Sequence, residues 1–266
     1  MKKSIVRPMF SIGSTHFIVD IDQQVLREFQ RPANEISFIR DMLDRQSHYE
    51  LRYDPRVRSA ARADLPESQV QHIRVPQMTA LAPEQMSVKY DCPVEQLKGR
   101  PDFDVIVDQE ALAIRHTGLL PRIDIVGEMF VVDLRMQEFR HAEHFFPILS
   151  LCSFELTEDG WNYEAFYHPV MRQTVELDPK LLELPDYVRI RIPNEIGLDP
   201  VSAARIYGMD ERELLRRYPI QKELKADVIP LSETNVPALI QRNKTALQQE
   251  HRENAQKIRP RHRPKF

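Results

Sequence analysis

The fold is decided by residues 198–217, LDPVSAARIYGMDERELLRR. A proline near its start and one glycine, Gly208, near its middle predict two short helices joined by a turn. Residues 81–98, LAPEQMSVKYDCPVEQLK, carry the same framework. The shared positions lie 117 residues apart and are Leu81/Leu198, Pro83/Pro200, Tyr90/Tyr207 and Leu97/Leu214. This repetition predicts a tandem duplication.

Further blocks repeat in the same order and extend the duplication outward from the helices. FIVD at 17–20 returns as FVVD at 130–133, and IRVP at 73–76 returns as IRIP at 190–193. Tyr49, Glu50, Tyr53 and Pro55 return as Tyr163, Glu164, Tyr167 and Pro169. Because small loop insertions shift the spacing by only a few residues, we predict a first repeat over 1–118 and a second over 119–234.

Alternating apolar and polar residues predict antiparallel strands within each repeat. Residues 9–21 alternate on both sides of a Gly-Ser-Thr turn, and Asp159-Gly160 separates two alternating runs, which are hairpin signals. Residues 36–53 predict another hairpin, 102–118 a strand followed by a helix, and Cys152 a core strand position. The expected fold class is α+β: a duplicated, mainly antiparallel β unit, each copy ending in a short helix–turn–helix.

The last region, residues 235–266, predicts a C-terminal helix and a disordered basic tail. Asn235 can cap the helix and Pro237 suits its first turn. Residues 243–266 contain seven Lys/Arg and two Glu, a net charge of +5. The rest of the chain is therefore acidic, because the net charge of the whole chain is only −3.

Composition excludes several classes of protein. Only seven glycines are present, and neither phosphate-binding glycine motif occurs, so a P-loop or dinucleotide fold is not expected. Two isolated cysteines give no disulfide or zinc framework, which favours a reducing cytoplasm. No signal peptide and no apolar run of membrane-spanning length is found, so we expect no membrane partner. No cofactor is predicted.

Residues 198–217 resemble the general helix–turn–helix pattern of DNA-binding proteins, with Ala204, Gly208, Met209 and Leu214 at the required spacings. We expect the second helix to expose Arg212, Arg216 and Arg217, although three acidic residues near its start oppose phosphate binding. A purely structural helical hairpin is the alternative. The candidate nucleic-acid-binding residues are Arg205, Arg212, Arg216, Arg217, Lys257, Arg259, Arg261, Arg263 and Lys265.

Two other pairs of side chains invite a chemical interpretation. His141 and His144 could offer two metal ligands on one helical face, but no third ligand is near in sequence, so no metal site is assigned. Asp20 and Asp133 recur at equivalent strand ends. We expect them to bind turn amides or to pair with an arginine such as Arg74 or Arg191.

The sequence predicts a non-enzymatic cytoplasmic binding or scaffold protein. It would act through a protein partner or a nucleoprotein complex, with the basic tail aiding recruitment. Two alternatives stay open: a DNA-binding accessory or regulatory protein that uses residues 198–217, and a hydrolase with its site between the repeats. No GxSxG or HExxH motif occurs, so no catalytic residue is assigned.

Overall fold

The computed structural model describes residues 8–144 and 146–258 of a mixed α and β protein. The first half of the described chain contains β1 Met9–Ile12, β2 Thr15–Asp20, β3 Val25–Glu28, β4 Glu35–Ser37, β5 Met42–Asp44, β6 His48–Asp54, β7 Ser59–Ala60, β8 Gln71–Pro76, α1 Met78–Leu81, α2 Pro83–Tyr90, α3 Val94–Leu97, α4 Asp102–Ile106 and α5 Gln109–His116. The second half contains β9 Arg122–Ile125, β10 Glu128–Asp133, β11 Glu138–His141, β12 Ile148–Ser150, β13 Glu155–Leu156, β14 Asn162–His168, β15 Gln173–Val175, β16 Val188–Pro193, α6 Glu195–Leu198, α7 Pro200–Tyr207, α8 Glu211–Arg217, β17 Leu224–Lys225, β18 Asp227–Ile229 and α9 Val236–Ile258.

The chain divides into two compact units. The first unit comprises residues 1–117 and 207–220, and the second comprises 118–206 and 221–266. The two helices predicted as a helix–turn–helix therefore fall in different units. Helix α8 belongs to the first unit, whereas α7 up to Ile206 belongs to the second.

The first unit contains two antiparallel sheets. One has the strand order β1-β2-β3-β4. In the other, β6 is central, with β8 along one of its edges and the short strands β5 and β7 one after the other along its opposite edge. Strand β6 alternates as its sequence predicts: Tyr49, Leu51 and Tyr53 are buried, while Glu50 and Arg52 face the other way.

The second unit also contains two sheets. The first has the order β12-β11-β10-β9-β17, in which only the β9–β17 pair is parallel. In the second, β16 lies along one edge of β14, and β13 and β15 lie along its other edge. Large buried side chains from both sheets form one core, which includes Phe130, Phe139, Leu149, Tyr167 and Ile190.

Helix α9 is packed only at its beginning. Val236 and Ile240 are buried in a small cluster with Leu231. The Asn243 side-chain amide donates hydrogen bonds to the carbonyls of Pro179 and Leu181, at 2.8 and 2.9 Å. From residue 244 to 254 every side chain is exposed. Neither this helix nor any other in the described ranges is long and apolar enough to span a membrane.

Three local predictions are wrong. Residues 102–106 form helix α4 rather than the predicted strand. The helix predicted after it is present as α5, which the Asp108 carboxylate caps by accepting hydrogen bonds from the Glu110 and Ala111 amides. The hairpin predicted over 36–53 is wrong only in its first arm: β5 and β6 pair as a hairpin, but 36–43 is not one strand, since β4 and β5 belong to different sheets. Cys152 is exposed in a single 3₁₀ turn, in which the Ser150 hydroxyl accepts the Cys152 amide.

A buried carboxylate, Glu28 on β3, connects the two sheets of the first unit. Its side chain is 1% exposed and accepts hydrogen bonds from Arg31, Asn34 and Arg58, at 2.9, 2.8 and 3.1 Å. Arg58 lies in the turn between β6 and β7, on the other sheet. The hydrogen bonds from Arg31, Asn34 and Arg58 lower the pKa of Glu28 from 4.5 to about 2.

We predict that Glu28→Gln removes part of the acid sensitivity of the fold. Because the folded-state pKa is lowered, the Glu28 carboxylate stabilises the protein above pH 4.5, and this contribution is lost as the pH falls from 4.5 to about 2. The free energy of unfolding, measured with urea and circular dichroism, should decline less steeply for the variant over this window. Exposed Glu84→Gln is the control, and parallel curves for Glu28→Gln and the wild type would contradict the prediction.

Candidate functional site

Helix α8 presents its arginines differently from the prediction. The Asp210 carboxylate caps the helix by accepting the Glu213 amide at 2.7 Å. Arg212 lies over the Phe103 ring, 4.0 Å from its centroid. Arg217 is exposed, as predicted, and pairs with Glu213 one turn earlier. The expectation that Arg216 is exposed is wrong, because its side chain is only 3% exposed.

Arg216 is held by three groups of the first unit. Its guanidinium donates to the Phe38 carbonyl and to the Tyr49 hydroxyl, both at 3.2 Å. It also lies over the Tyr49 ring, 4.9 Å from the centroid, and 3.5 Å from the Asp44 carboxylate. These contacts provide the compensation that a buried cation requires.

The same network continues from Tyr49 to a second buried charge, Asp102. The Tyr49 hydroxyl donates to Asp102 at 2.5 Å. The Asp102 carboxylate also accepts hydrogen bonds from the Met78 and Thr79 amides, at 2.7 and 2.8 Å. It therefore caps the start of helix α1, although it lies more than 20 residues away in the sequence. Burial raises the pKa of Asp102, although these hydrogen bonds oppose the increase, and burial likewise raises the pKa of Tyr49.

A cleft of about 660 Å³ opens at the edge of β6 where β5 and β7 fail to form one continuous strand. We call it the first cleft. Residues 39–44, which include β5, form one wall, and residues of the α8 segment form another. Its complete lining is Ile39, Arg40, Asp41, Met42, Leu43, Asp44, Glu50, Arg52, Ala60, Ala61, Asp210, Arg212, Glu213 and Arg216.

Unsatisfied polar groups line the first cleft. Asp44 Oδ2 and Arg216 Nε are buried and make no hydrogen bond within the described part of the chain. The Asp44 side chain is 9% exposed. The Arg45 amide donates a hydrogen bond to the His48 carbonyl. In an antiparallel pair, residues that bond to the partner strand alternate with residues whose N–H and C=O groups point away from it. The main-chain groups of Met42 and Asp44 therefore point away from β6.

A second cleft, of about 710 Å³, opens at a strand break in the second unit. There β13 pairs with Tyr163 and Glu164, β15 pairs from Phe166 onward, and Ala165 between them has no partner on that edge. The lining is Cys152, Ser153, Phe154, Glu155, Glu164, Ala165, Phe166, Thr174, Val175, Glu176, Leu177, Arg189 and Asn235.

Electrostatically the second cleft is acidic. Glu164 is nearly buried and is bound by Arg189 at 2.5 Å and by Arg191 at 2.6 Å. Glu155 and Glu176 are exposed and form no ion pair within residues 8–144 and 146–258. The Thr157 amide donates to the Asn162 carbonyl, so the main-chain groups of Leu156 point away from β14.

His141 and His144 are not neighbours on a helix, because His141 ends strand β11. His141 Nδ1 accepts the amides of Glu143 and His144, each at 3.2 Å, so we assign the proton to Nε2, which donates to Glu128 at 3.0 Å. Both ring nitrogens are thus occupied. Among the described residues, no group of three or more His, Cys, Asp or Glu side chains is arranged to hold a metal ion.

Asp20 and Asp133 bind turn amides and an arginine, as predicted, but the arginines are different ones. Asp20 accepts the Gln23 amide at 3.1 Å and pairs with Arg27 at 3.5 Å. Asp133 accepts the Arg135 and Met136 amides, each at 3.2 Å. It pairs with Arg140 at 3.0 Å. The neighbouring strand of the same sheet supplies the arginine, whereas Arg74 and Arg191 lie in other sheets.

Of the other predicted residues that the structure describes, Arg205 lines neither cleft. Arg205 is exposed on α7. Lys257 lies in the last turn of α9, where side chains are not described, and Arg259, Arg261, Arg263 and Lys265 lie outside the described residues. Sequence reasoning missed both clefts. Their only sequence signal is the shortness of the strand segments that flank β6 and β14.

Comparison with protein-family models, with curated proteins and with solved structures gives no match to this chain.

We predict that Arg216→Ala destabilises the first unit strongly. The substitution leaves the buried Asp44 carboxylate without its cation. Breaking a buried ion pair in this way lowers the free energy of unfolding by about 3–5 kcal/mol. The control is the adjacent Arg217→Ala, which removes a partly exposed helical pair and should change stability by less than about 1 kcal/mol. Urea unfolding measures both variants. Equal effects of the two substitutions would show that the Arg216 network is not stabilising.

Proposed function

We propose that the protein is a non-enzymatic cytoplasmic scaffold whose two units arose by tandem duplication, and that each unit binds an extended segment of a partner protein in its cleft. The observation that carries this proposal is the occurrence of a cleft at the same strand break in both units.

Element boundaries support the duplication. Each of the strands β1 to β4 has a counterpart among β9 to β12 with the same length, displaced by 113 residues. Helices α1 and α2 correspond in the same way to α6 and α7, displaced by 117 residues. Left-handed backbone conformations, which are uncommon outside glycine, recur at Gln24 and Gln137 and at Arg58 and Arg172.

A compensating exchange of charge also supports the duplication. Arg58 and Arg172 occupy equivalent turns, and each is bound by a buried or half-buried carboxylate. In the first unit this is Glu28 on β3, whereas in the second it is Glu128 on β10, at 2.6 Å. The position in the second unit that corresponds to Glu28, 113 residues later, is occupied by His141. If two copies diverge but the arginine of this turn must stay neutralised, loss of the carboxylate on one strand requires a carboxylate on a neighbouring strand.

The construction of the clefts supports binding of an extended segment. Main-chain groups of Met42 and Asp44 in the first cleft point outward from a short edge strand, as do those of Leu156, which follows the second-cleft residue Glu155. An added strand can pair with such groups. The first cleft adds a helical wall, α8, beside its strand edge. Its outer charges form ion pairs, Arg40 with Asp41 and Arg45 with Glu50, as in the polar rim of a binding surface.

The contacts of α8 do not favour the alternative proposal of DNA reading by a helix–turn–helix at 198–217. Arg216 is buried, and Arg212 is stacked on Phe103. The helix start carries Asp210, Glu211 and Glu213, which phosphates repel.

A screen of random unstructured segments against the full chain should select binders, and Leu156→Pro should weaken those that occupy the second cleft. Leu156 is 55% exposed and its amide points outward, so proline removes a donor to the ligand without removing a bond to β14. We expect affinity, measured by fluorescence anisotropy, to fall about tenfold, the equivalent of one hydrogen bond.

The matched control is Leu156→Ala, which removes the same side chain but keeps the amide and should change affinity about twofold at most. The absence of selected segments, or equal binding by the proline variant and the wild type for all of them, would contradict strand addition at the second cleft.

A further inference from the structure

We propose that the second cleft receives residues 259–266, RPRHRPKF, from another copy of this chain, which links the copies through their basic segments. This inference rests on the proposed function, because it assigns an occupant to one of the two clefts.

The two clefts differ in the charge that they leave unpaired. In the first cleft Asp41, Asp44 and Glu50 lie beside arginines. Of its other acidic side chains, Glu213 pairs with Arg217, and Asp210 accepts the Glu213 amide as the cap of α8. In the second, Glu155 and Glu176 are exposed and unpaired within the described ranges. A cationic segment therefore gains more in the second cleft, where it neutralises two carboxylates without displacing an existing partner.

The second cleft also offers apolar contact beside its carboxylates. Phe154 is buried in its wall, and Phe166, Val175 and Leu177 are partly exposed there. The methylene stems of arginine and lysine can cover such surface while their charged ends reach the carboxylates. The cleft thus suits long cationic side chains better than it suits a small ion.

The sequence of 259–266 fits strand addition. Its cations occupy alternate positions, so an extended conformation places them on one face. The two prolines, Pro260 and Pro264, lie at even-numbered positions between the cations. Proline has no N–H group, so in an extended segment the hydrogen-bond donors that are lost all lie along one edge. The amides of Arg261, Arg263 and Lys265 then point to the opposite edge, where they can pair with the outward groups of Leu156.

Helix length indicates that the segment comes from a second copy. Asn235 lines the second cleft, and α9 begins at the next residue and runs for 23 residues, or about 34 Å. Eight extended residues reach at most about 29 Å. A segment that starts at the far end of α9 is therefore too short to reach back to Asn235 of its own chain.

The probe for this proposal is a labelled peptide, RPRHRPKF, titrated with the full chain and followed by fluorescence anisotropy. A rearranged peptide of identical composition, RRRKPPHF, keeps the charge but loses the alternation. We expect the first peptide to bind at least about fivefold more tightly than the second. Sedimentation should show that the full chain self-associates, and an excess of the first peptide should dissociate the assemblies.

Charge variants of the full chain identify the binding surface. Glu155→Gln with Glu176→Gln should weaken peptide binding about tenfold and reduce self-association. Glu158→Gln with Glu183→Gln makes the same change in charge on exposed residues of the same unit outside the cleft, and should leave both unchanged. Circular dichroism checks that each variant is folded.

Equal binding of the two peptides, or equal effects of the two double variants, would overturn the proposal, as would a monomeric full chain. Displacement of the labelled peptide by partner segments selected in the screen is expected, since they share the cleft. If those segments bind and respond to Leu156→Pro while RPRHRPKF does not bind, the occupant is wrong and the proposed function stands. If neither binds, both fail.

Discussion

The first unit depends on one chain of buried polar contacts, Asp102–Tyr49–Arg216. None of these groups is stable alone in the interior, because burial of an unpaired charge costs several kcal/mol. Asp102 is satisfied by two helix amides and the Tyr49 hydroxyl, and that hydroxyl accepts from Arg216. The requirement to compensate Asp44 and the Tyr49 hydroxyl fixes Arg216, and therefore α8, in this unit. One wall of the first cleft follows directly from that constraint.

The second unit has a cleft with a different lining. Its tyrosine at the position of Tyr49, Tyr163, donates instead to Glu195 at 2.6 Å. Residues 176 and 177 and Asn235 stand beside its cleft, where the first unit has α8. In the proposed duplication, packing keeps the strands of the two units alike. The segments around the strands are free to differ, and they set the charge of each cleft.

Prediction from sequence succeeded where the signal was local. The hairpins around Gly-Ser-Thr and Asp159-Gly160 depend on alternation and on backbone conformations available to glycine, and both are present. It failed where a distant group decides the outcome. The exposure of Arg216 could not be read from helical periodicity, because its partners are Phe38, Asp44 and Tyr49, more than 160 residues away in the sequence. The clefts were missed for the same reason, since each needs a strand break and a wall from elsewhere.

By itself, the sequence determined the mixed α and β character of the chain, the charge contrast between body and basic segment, and the alternating cations of 259–266. These are properties of neighbouring residues, and local sterics and periodicity are enough to define them. Tertiary structure alone decided which unit holds α8, which arginines are buried, and which carboxylates of the second cleft form no ion pair among the described residues. Burial and charge pairing depend on contacts between distant segments, so they are set only when the chain packs.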